Sequence, residues 1–183
     1  FGLLEELNLN DNDLGNIDGL ENLTRLKMLY VNNNALDALA ISNNKALEYV
    51  EASNNAIEEL GSSLKKTGGE YVNNTTIKTM ILDENKIPKS ELQSFGWYTA
   101  LEKLELGSQS VEDYGNLTAT DMAPLSNVQN LGMEHLGITS IDVSTLTNLE
   151  SIDLSFNNLT TAAGLHGYSD SLASVKLFAN NIE

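Results

Sequence analysis

The sequence contains no cysteine and only two prolines and one tryptophan among its 183 residues. Without cysteine, the chain can form neither a disulfide nor a thiolate metal site, so redox chemistry does not indicate its compartment. No apolar run approaches the roughly 18 residues that a membrane-spanning helix requires. No basic segment of a signal peptide precedes the first apolar residues. We therefore expect no membrane insertion.

Positive charge is also scarce, because 10 lysines and arginines stand against 26 aspartates and glutamates. The resulting net charge of −16 would repel nucleic-acid phosphates and anionic membrane surfaces. The same charge favours solubility and cationic partners or ions. The composition therefore argues against nucleic-acid binding.

Residue patterns typical of enzymes and metal sites are absent as well. The sequence has no nucleophile elbow, phosphate-binding glycine loop or H-E-x-x-H pattern. Its two histidines, His135 and His166, lie in different parts of the chain, and no nucleophile is indicated beside either. Residues 8–13 resemble a calcium loop but lack the glycine and glutamate of an EF-hand. We expect no catalytic residue, no cofactor and no metal.

What the chain does contain is an internal repeat. Residues 4–14 fit the pattern L-x-x-L-x-L-x-x-N-x-L, and residues 26–36, which begin 22 residues later, repeat it with Val31 as the apolar residue at the sixth position. Further units begin near residues 47, 77, 101, 128, 149 and 172. Six of the eight units keep asparagine at the ninth position, whereas the fifth has Gln109 and the sixth has Leu136.

This pattern identifies the chain as similar to leucine-rich repeat proteins. The first unit resembles the internalin-like or the protein-phosphatase-regulator type of leucine-rich repeat, and residues 39–47 resemble the 21-residue units of Bacteroidetes surface proteins. The resemblance implies an α/β solenoid, a right-handed superhelix with about eight short parallel strands on its concave face. The convex connections should be irregular, 3-10 or short helical segments. Residues 1–183 should form one such domain.

Both ends of the chain suggest a piece of a longer extracellular protein. Terminal repeats normally need a polar cap over the open core, whereas Phe1 to Leu4 are apolar and residues 181–183 end within a unit. The alternative is that the open ends pair with another copy of the chain.

The ninth-position asparagines predict a ladder of buried amides. An asparagine amide offers two donors and an acceptor, so stacked copies can pair with loop backbone groups. The predicted rungs are Asn12, Asn34, Asn55, Asn85, Asn157 and Asn180. Gln109 keeps the amide chemistry. Leu136 does not, so we expect a local rearrangement or an unpaired backbone group near residues 134–138.

Alternation along each strand predicts which side chains face outward. The fourth and sixth positions should point into the core, and the third, fifth, seventh and eighth should line the exposed sheet face. We define the aromatic patch as Met28, Tyr30, Tyr49 and Ile81. We define the acidic stripe as Glu51, Asp83, Glu84, Glu105, Glu134 and Asp153. The predicted partner-binding residues are Met28, Tyr30, Tyr49, Glu51, Ile81, Asp83, Glu105, Glu134 and Asp153.

Several other side chains have a packing interpretation. Phe156 and Phe178 should pack on each other against the loops at the strand ends, and His135 should project from the exposed face. Trp97 should pack on the convex side, and Pro88 should open one or two helical turns.

Function follows from the exposed face and the resemblance together. Exposed tyrosines surrounded by polar groups suit protein recognition, because tyrosine buries a large area at low entropic cost. We therefore expect a non-catalytic module that presents its concave face to a protein or peptide, located outside the cell or on a bacterial surface. The alternative is a structural or adhesive spacer within a larger surface protein.

Overall fold

The computed structural model describes residues 2–41, 43–60, 73–165 and 170–183. Phe1, His166 and most of the long connection before the fourth repeat lie outside these ranges. The described residues form one sheet of eight parallel strands, as the repeat pattern predicts. In order across the sheet, the strands are β1 (Glu6–Asn8), β2 (Met28–Tyr30), β3 (Tyr49–Glu51), β4 (Thr79–Ile81), β5 (Lys103–Glu105), β7 (Asn130–Gly132), β9 (Ser151–Asp153) and β10 (Ser174–Lys176).

Each strand of this sheet is three residues long, and its middle residue is the fourth position of a repeat. The strands are in register, so each fourth position lies beside the fourth position of the next repeat. Leu29, Val50, Met80 and Leu104 are completely buried. A strand of three residues cannot bury its apolar side alone, so stacking of neighbouring repeats produces the core.

The two ends of the solenoid leave apolar surface uncovered. Leu3 is 77% exposed before the first strand, and Phe178 is 70% exposed after the last. A cavity of about 620 Å³ at the first repeat is lined mainly by apolar side chains, among them Leu4, Leu7 and Leu14. The described end repeats therefore lack the polar covering that closes a solenoid core.

Short helices and turns make up the convex side. In the described residues the 3-10 helices are Leu20–Asn22, Lys89–Trp97, Ala123–Leu125 and Ala163–Leu165, and one short α-helix, α1, spans Ala119–Met122. Strands β6 (Asn116–Leu117) and β8 (Ser140–Ile141) form a separate parallel pair. Strand β6 lies in the connection after the fifth repeat, and β8 lies in the connection after the sixth.

The connection after the fourth repeat contains the predicted helix, with one difference in its start. The helix is of the 3-10 type and begins at Lys89, while Pro88 precedes it in an extended conformation. Trp97 is partly buried against the core, and Tyr98 is 1% exposed. Among the described residues, no helix combines the length and hydropathy needed to cross a bilayer.

The ninth-position amides connect each repeat to the one before it. The Asn34 amide donates to the carbonyl of Leu9 in the first repeat (3.0 Å) and to that of Val31 in its own (3.1 Å), while its oxygen accepts from the Leu14 N–H (3.1 Å). The same arrangement recurs at Asn55, Asn85, Gln109, Asn157 and Asn180. Asn12 is exposed and donates only within its own repeat, because the described chain has no repeat before it.

Leu136 interrupts this ladder, but the effect falls on the preceding repeat. The N–H groups of Leu136 and Ile138 both donate to the Asn157 Oδ1, at 3.0 Å each. The group without its usual acceptor is the Val111 N–H, which makes no protein hydrogen bond within the described ranges. The preceding repeat is affected because each ninth-position side-chain oxygen accepts from the N–H of the eleventh residue in the repeat before it.

Every repeat also turns through the left-handed backbone region at its eighth position. The residues there are Asp11, Asn33, Asn54, Glu84, Ser108, His135, Phe156 and Ala179, with φ between 52° and 59°. Asparagine and aspartate tolerate this conformation, whereas glutamate, phenylalanine and alanine adopt it at a cost. This turn directs the chain away from the sheet after each strand.

Candidate functional site

The exposed face of the sheet consists of two columns of side chains. Third-position residues form one column, in the order Met28, Tyr49, Thr79, Lys103, Asn130, Ser151 and Ser174. Fifth-position residues form the other, in the order Tyr30, Glu51, Ile81, Glu105, Gly132, Asp153 and Lys176. Because adjacent parallel strands lie about 4.8 Å apart, side chains next to each other in a column are within contact range.

Three members of the aromatic patch lie together on β2 and β3. The rings of Tyr30 and Tyr49 have centroids 5.5 Å apart and are tilted by 45°. The Tyr30 hydroxyl lies 3.7 Å from the Met28 sulfur. All three side chains are half-buried, so each keeps surface available for contact. Ile81 is separated from Tyr30 in its column by Glu51, so it lies at the border of this group.

Glu51 is held within the aromatic patch by hydrogen bonds. The Tyr49 hydroxyl donates to one of its carboxylate oxygens (3.0 Å), and the Asn32 amide donates to the other (3.1 Å). Burial raises the pKa of Tyr49 to about 12, and the hydrogen bond to Glu51 acts in the same direction. The hydroxyl therefore remains a donor, and both side chains are fixed before any partner arrives.

The rest of the acidic stripe lies farther along the sheet and divides into paired and unpaired carboxylates. Lys103 pairs with Glu105 (3.1 Å), and Lys176 pairs with Asp153 (2.8 Å). Although burial opposes it, the hydrogen bonds from Lys176 and Ser155 lower the pKa of Asp153. Within the described chain, the ion pairs include neither Asp83, Glu84 nor Glu134.

The two unpaired carboxylates that point onto the sheet are partly buried. Burial raises the pKa of Glu134 to about 7, and the neighbouring charges of Asp153, Glu105 and Asp83 add to the effect. Burial also raises the pKa of Asp83, although the Gly107 N–H donates to its Oδ1 at 2.6 Å and opposes the shift. The surroundings therefore disfavour the charged form of both groups, so that each holds its proton to a higher pH than an exposed carboxyl would.

Two glycines make room for this group of carboxylates. A Cβ on Gly132 would overlap the Glu105 carboxylate, which therefore lies over that glycine. A Cβ on Gly107 would be 3.2 Å from the Asp83 Oδ1 and 3.3 Å from the Glu134 Oε2. Two neighbouring cavities of about 410 and 540 Å³ open here, and both are lined by Lys103, Glu105 and Glu134.

Three aromatic rings form a continuous row at the edge of the sheet, which we call the aromatic ladder: His135, Phe156 and Phe178. The His135 and Phe156 rings are stacked with centroids 4.3 Å apart, and Phe178 meets Phe156 edge-on at 5.1 Å. The predicted packing of Phe156 on Phe178 is confirmed. Phe156 is nevertheless 45% exposed and Phe178 70% exposed, so both offer ring surface to solvent.

Sequence reasoning missed a second set of polar contacts at the seventh position. The side chains of Asn10, Asn32 and Asp83 accept from the N–H of the seventh residue in the next repeat, at 2.7, 2.8 and 2.6 Å. Asp83, predicted as a partner contact, therefore also joins the fourth repeat to the fifth. The signal was available, because asparagine or aspartate occupies this position in three of the first four repeats.

The stretch that resembles a calcium loop is occupied by its own hydrogen bonds. The Asn8 oxygen accepts from the Asn10 N–H (3.0 Å), and the Asn12 amide donates to backbone carbonyls. In the part of the chain that the structure describes, no group of three or more histidine, aspartate or glutamate side chains is arranged to hold a metal ion.

Comparison with known proteins finds the same repeat in sequence and structure. A family profile described as "Leucine Rich repeats (2 copies)" matches residues 3–44. Lumican of Rattus norvegicus is 30% identical over 163 residues, which are 85% of this chain and 44% of lumican. The chain thus spans less than half the length of this relative.

Solved structures with similar folds include an internalin and a Toll-like receptor. Internalin C2 of Listeria monocytogenes is 22% identical, with a TM-score of 0.63 over 94% of this chain and 80% of that one. TLR13, solved as a complex with ssRNA13, is 27% identical, with a TM-score of 0.76 over 97% of this chain and 25% of that one. These likenesses agree with the observed sheet of eight parallel strands.

Proposed function

Because this chain is a leucine-rich repeat protein, we propose that it is a non-catalytic binding module whose concave sheet face contacts a protein or peptide partner. The main support is the aromatic patch on an otherwise uncovered sheet. Met28, Tyr30 and Tyr49 lie side by side there and remain partly exposed. Such a group is typical of binding hot spots, because aromatic side chains bury a large area when a partner covers them.

The rigidity of the patch strengthens this proposal. Ordering a free side chain at an interface costs about 0.5–1.5 kcal/mol. Tyr49 and Glu51 are already fixed by their mutual hydrogen bond, and the Tyr30 ring packs on Tyr49. Binding a partner at this surface would therefore cost less free energy for ordering side chains than binding at an exposed loop would. The backbone beneath is held by strand pairing on both sides.

The proposed contacts divide by chemistry. Met28, Tyr30, Tyr49 and Ile81 would supply apolar area, and Glu51 would accept hydrogen bonds at its border. The carboxylates of Asp83, Glu105, Glu134 and Asp153 would select partners by charge. The chain's net charge of −16 supports a protein or peptide partner over a nucleic acid, even though TLR13 was solved with an RNA.

The proposal extends to location and domain organisation. We place the protein outside the cell or on a bacterial surface, by analogy with the internalin-like repeats that its own units resemble. Residues 1–183 would form a single leucine-rich repeat domain, since the repeats on both sides of the insertions contribute strands to one eight-stranded sheet.

Partner capture with matched variants tests the binding role. The immobilised protein would be exposed to extracts or secreted proteins from its natural setting, and the captured proteins would be quantified by mass spectrometry. The variant combining Tyr30→Ala and Tyr49→Ala should lose at least tenfold in specific capture, since two hot-spot side chains each contribute roughly 1 kcal/mol or more. Leu3→Ala removes an exposed apolar side chain from the end of the solenoid and serves as the control. Equal capture by the tyrosine double variant and the control would exclude the aromatic patch.

A structural or adhesive spacer is the second candidate. The cavity at the first repeat favours it, because uncovered core surface suits a unit stacked between others. In that case neighbouring domains would bind the partner, and the tyrosine double variant would leave adhesion of the full-length protein unchanged. The full-length gene would then encode further repeats and an anchor.

A further inference from the structure

The four methionines of the chain differ in exposure, and all of them lie within the described ranges. Met80, Met122 and Met133 are completely buried, whereas Met28 is only half-buried on strand β2. The difference follows from the repeat, because Met80 and Met133 occupy the inward fourth and sixth positions and Met28 occupies the outward third. An oxidant in solution can therefore reach the Met28 sulfur without any opening of the fold.

The Met28 side chain is in contact with the tyrosines of the aromatic patch. Along the sheet, Met28 is in register with Glu6 on one side and Tyr49 on the other. The Tyr30 hydroxyl lies 3.7 Å from the sulfur, which is within reach of a weak hydrogen bond. The Tyr30 ring in turn packs on Tyr49, with centroids 5.5 Å apart. A change in the chemistry of this sulfur would therefore affect both tyrosines.

Thioethers react with hydroperoxides by transfer of one oxygen atom. A sulfur lone pair attacks one oxygen of hydrogen peroxide, so that the S–O bond forms as the O–O bond breaks. The hydroxide that departs takes the proton of the transferred oxygen and leaves as water. The sulfur loses two electrons to the peroxide, and the product is methionine sulfoxide. The reaction needs access to the sulfur and no catalytic group of the protein.

Oxidation would replace an apolar part of the patch with a strong hydrogen-bond acceptor. The Tyr30 hydroxyl lies close enough to donate to the sulfoxide oxygen, so the polar group would stay on the concave face. A partner that covers the patch with apolar side chains would then bury an acceptor whose second lone pair has no donor. Burial of an unpaired polar group weakens association by roughly fivefold or more.

We propose that Met28 is an oxidation site for hydroperoxides, and that its conversion to the sulfoxide weakens binding at the aromatic patch. The concave face would then bind its partner more tightly in the reduced state than in the oxidised state. This inference rests on the proposed function, because it assigns a form of regulation to the same patch. The position of the oxidation site can nevertheless be measured without a partner.

Peptide mapping by mass spectrometry tests the site. The folded protein would be treated with hydrogen peroxide for increasing times, and the addition of one oxygen atom would be followed at each methionine. Met28 should react at least about tenfold faster than Met80, Met122 and Met133, because the buried sulfurs react only after local opening. In urea all four should react at similar rates, since the fold no longer protects three of them. Equal rates at Met28 and Met80 in the folded protein would overturn the inference.

Partner capture tests the consequence for binding. Peroxide treatment should lower specific capture by the parent protein roughly fivefold or more. Met28→Leu keeps an apolar side chain of similar size that peroxide does not oxidise, so its capture should stay within about twofold of the untreated parent before and after treatment. Met80→Leu is the matched control, because it removes a buried methionine and should leave the sensitivity to peroxide unchanged. Far-UV circular dichroism would confirm that each protein is folded before and after treatment.

Two results of the capture experiment would also overturn the inference. One is equal capture by the treated and untreated parent protein. The other is a loss of capture in treated Met28→Leu as large as the loss in the treated parent.

Failure of the proposed function would look different, because the untreated protein would then capture no partner through Tyr30 and Tyr49. In that case the NMR shifts of the two tyrosine rings report whether oxidation alters the patch. They should move on peroxide treatment of the parent protein and not of Met28→Leu. Unchanged ring shifts in the oxidised parent would contradict the inference even without a partner.

Discussion

Asn157 is the rung of the amide ladder whose removal should cost the most stability. Its side chain is 5% exposed and joins the seventh repeat to the sixth. The amide nitrogen donates to the carbonyls of Met133 (2.8 Å) and Leu154 (3.0 Å), and the oxygen accepts from the N–H groups of Leu136 and Ile138 (3.0 Å each). Asn157→Ala would remove these four hydrogen bonds and a longer one from the amide nitrogen to the Ser155 carbonyl (3.4 Å).

The magnitude follows from what is left unpaired. Leu136 is 3% exposed and Ile138 is completely buried, so water cannot readily replace the lost acceptor. A buried polar group without a partner costs about 1–3 kcal/mol. Because the groups are neighbours and the loop can relax, the costs are not additive, and we expect a total of roughly 3–4 kcal/mol. That is a large part of the 5–15 kcal/mol that typically stabilises a folded domain.

The control is the same residue type at the same repeat position. Asn12 is exposed and donates to the Leu9 and Asn10 carbonyls of its own repeat, at 2.9 and 3.0 Å. Water can satisfy both carbonyls after Asn12→Ala, so the loss should stay below about 1 kcal/mol. Urea unfolding followed by circular dichroism would give both free energies. Equal losses for the two variants would refute the view that buried amides in the ladder stabilise the stack.

Three further predictions concern single positions. Because the pKa of Glu134 is raised from 4.5 to about 7, the folded state binds more protons than the unfolded chain between these pH values, and stability should fall as pH rises through this window. Glu134→Gln should remove that pH dependence and add roughly 1 kcal/mol of stability at pH 8, after allowance for solvent screening. Urea unfolding at a series of pH values would measure both effects. Glu84 has φ 55°, a left-handed conformation that asparagine tolerates better than glutamine. Glu84→Asn should therefore be about 0.5–1 kcal/mol more stable than Glu84→Gln, which removes the same charge, and equal melting temperatures would contradict this. Gly164→Ala should lose at least about 2 kcal/mol in thermal unfolding because its Cβ would overlap the Ile141 carbonyl, whereas Gly96→Ala has ordinary contacts and should be tolerated.

The repeat spacing predicted the fold well because it is a packing requirement. Leu7 and Leu29 must face the same core when their strands lie side by side, and that requirement is visible as a period in the sequence. The eight strands and their order follow from it. The side pair of β6 and β8 does not, because strands of two residues leave no recognisable period.

The candidate site was predictable in outline and not in its contacts. Alternation along the strands indicated that Tyr30, Tyr49 and Glu51 face outward. It did not reveal that Glu51 is tied to Tyr49, because a hydrogen bond between residues two apart depends on side-chain rotamers. The closeness of Glu105 and Glu134 depends on Gly132, whose missing side chain leaves no apolar or charged signal.

The interrupted rung also has a geometric consequence for the concave face. The joint between the fifth and sixth repeats lacks the amide that connects other neighbouring repeats, because Leu136 stands at that position. The Val111 N–H is therefore left without its acceptor at this joint. Glu105 belongs to the repeat before the joint and Glu134 to the repeat after it. Bending of the solenoid at this joint would change the distance between these two carboxylates. A molecule that contacts both carboxylates would therefore hold the two repeats at a fixed distance and fix the local curvature.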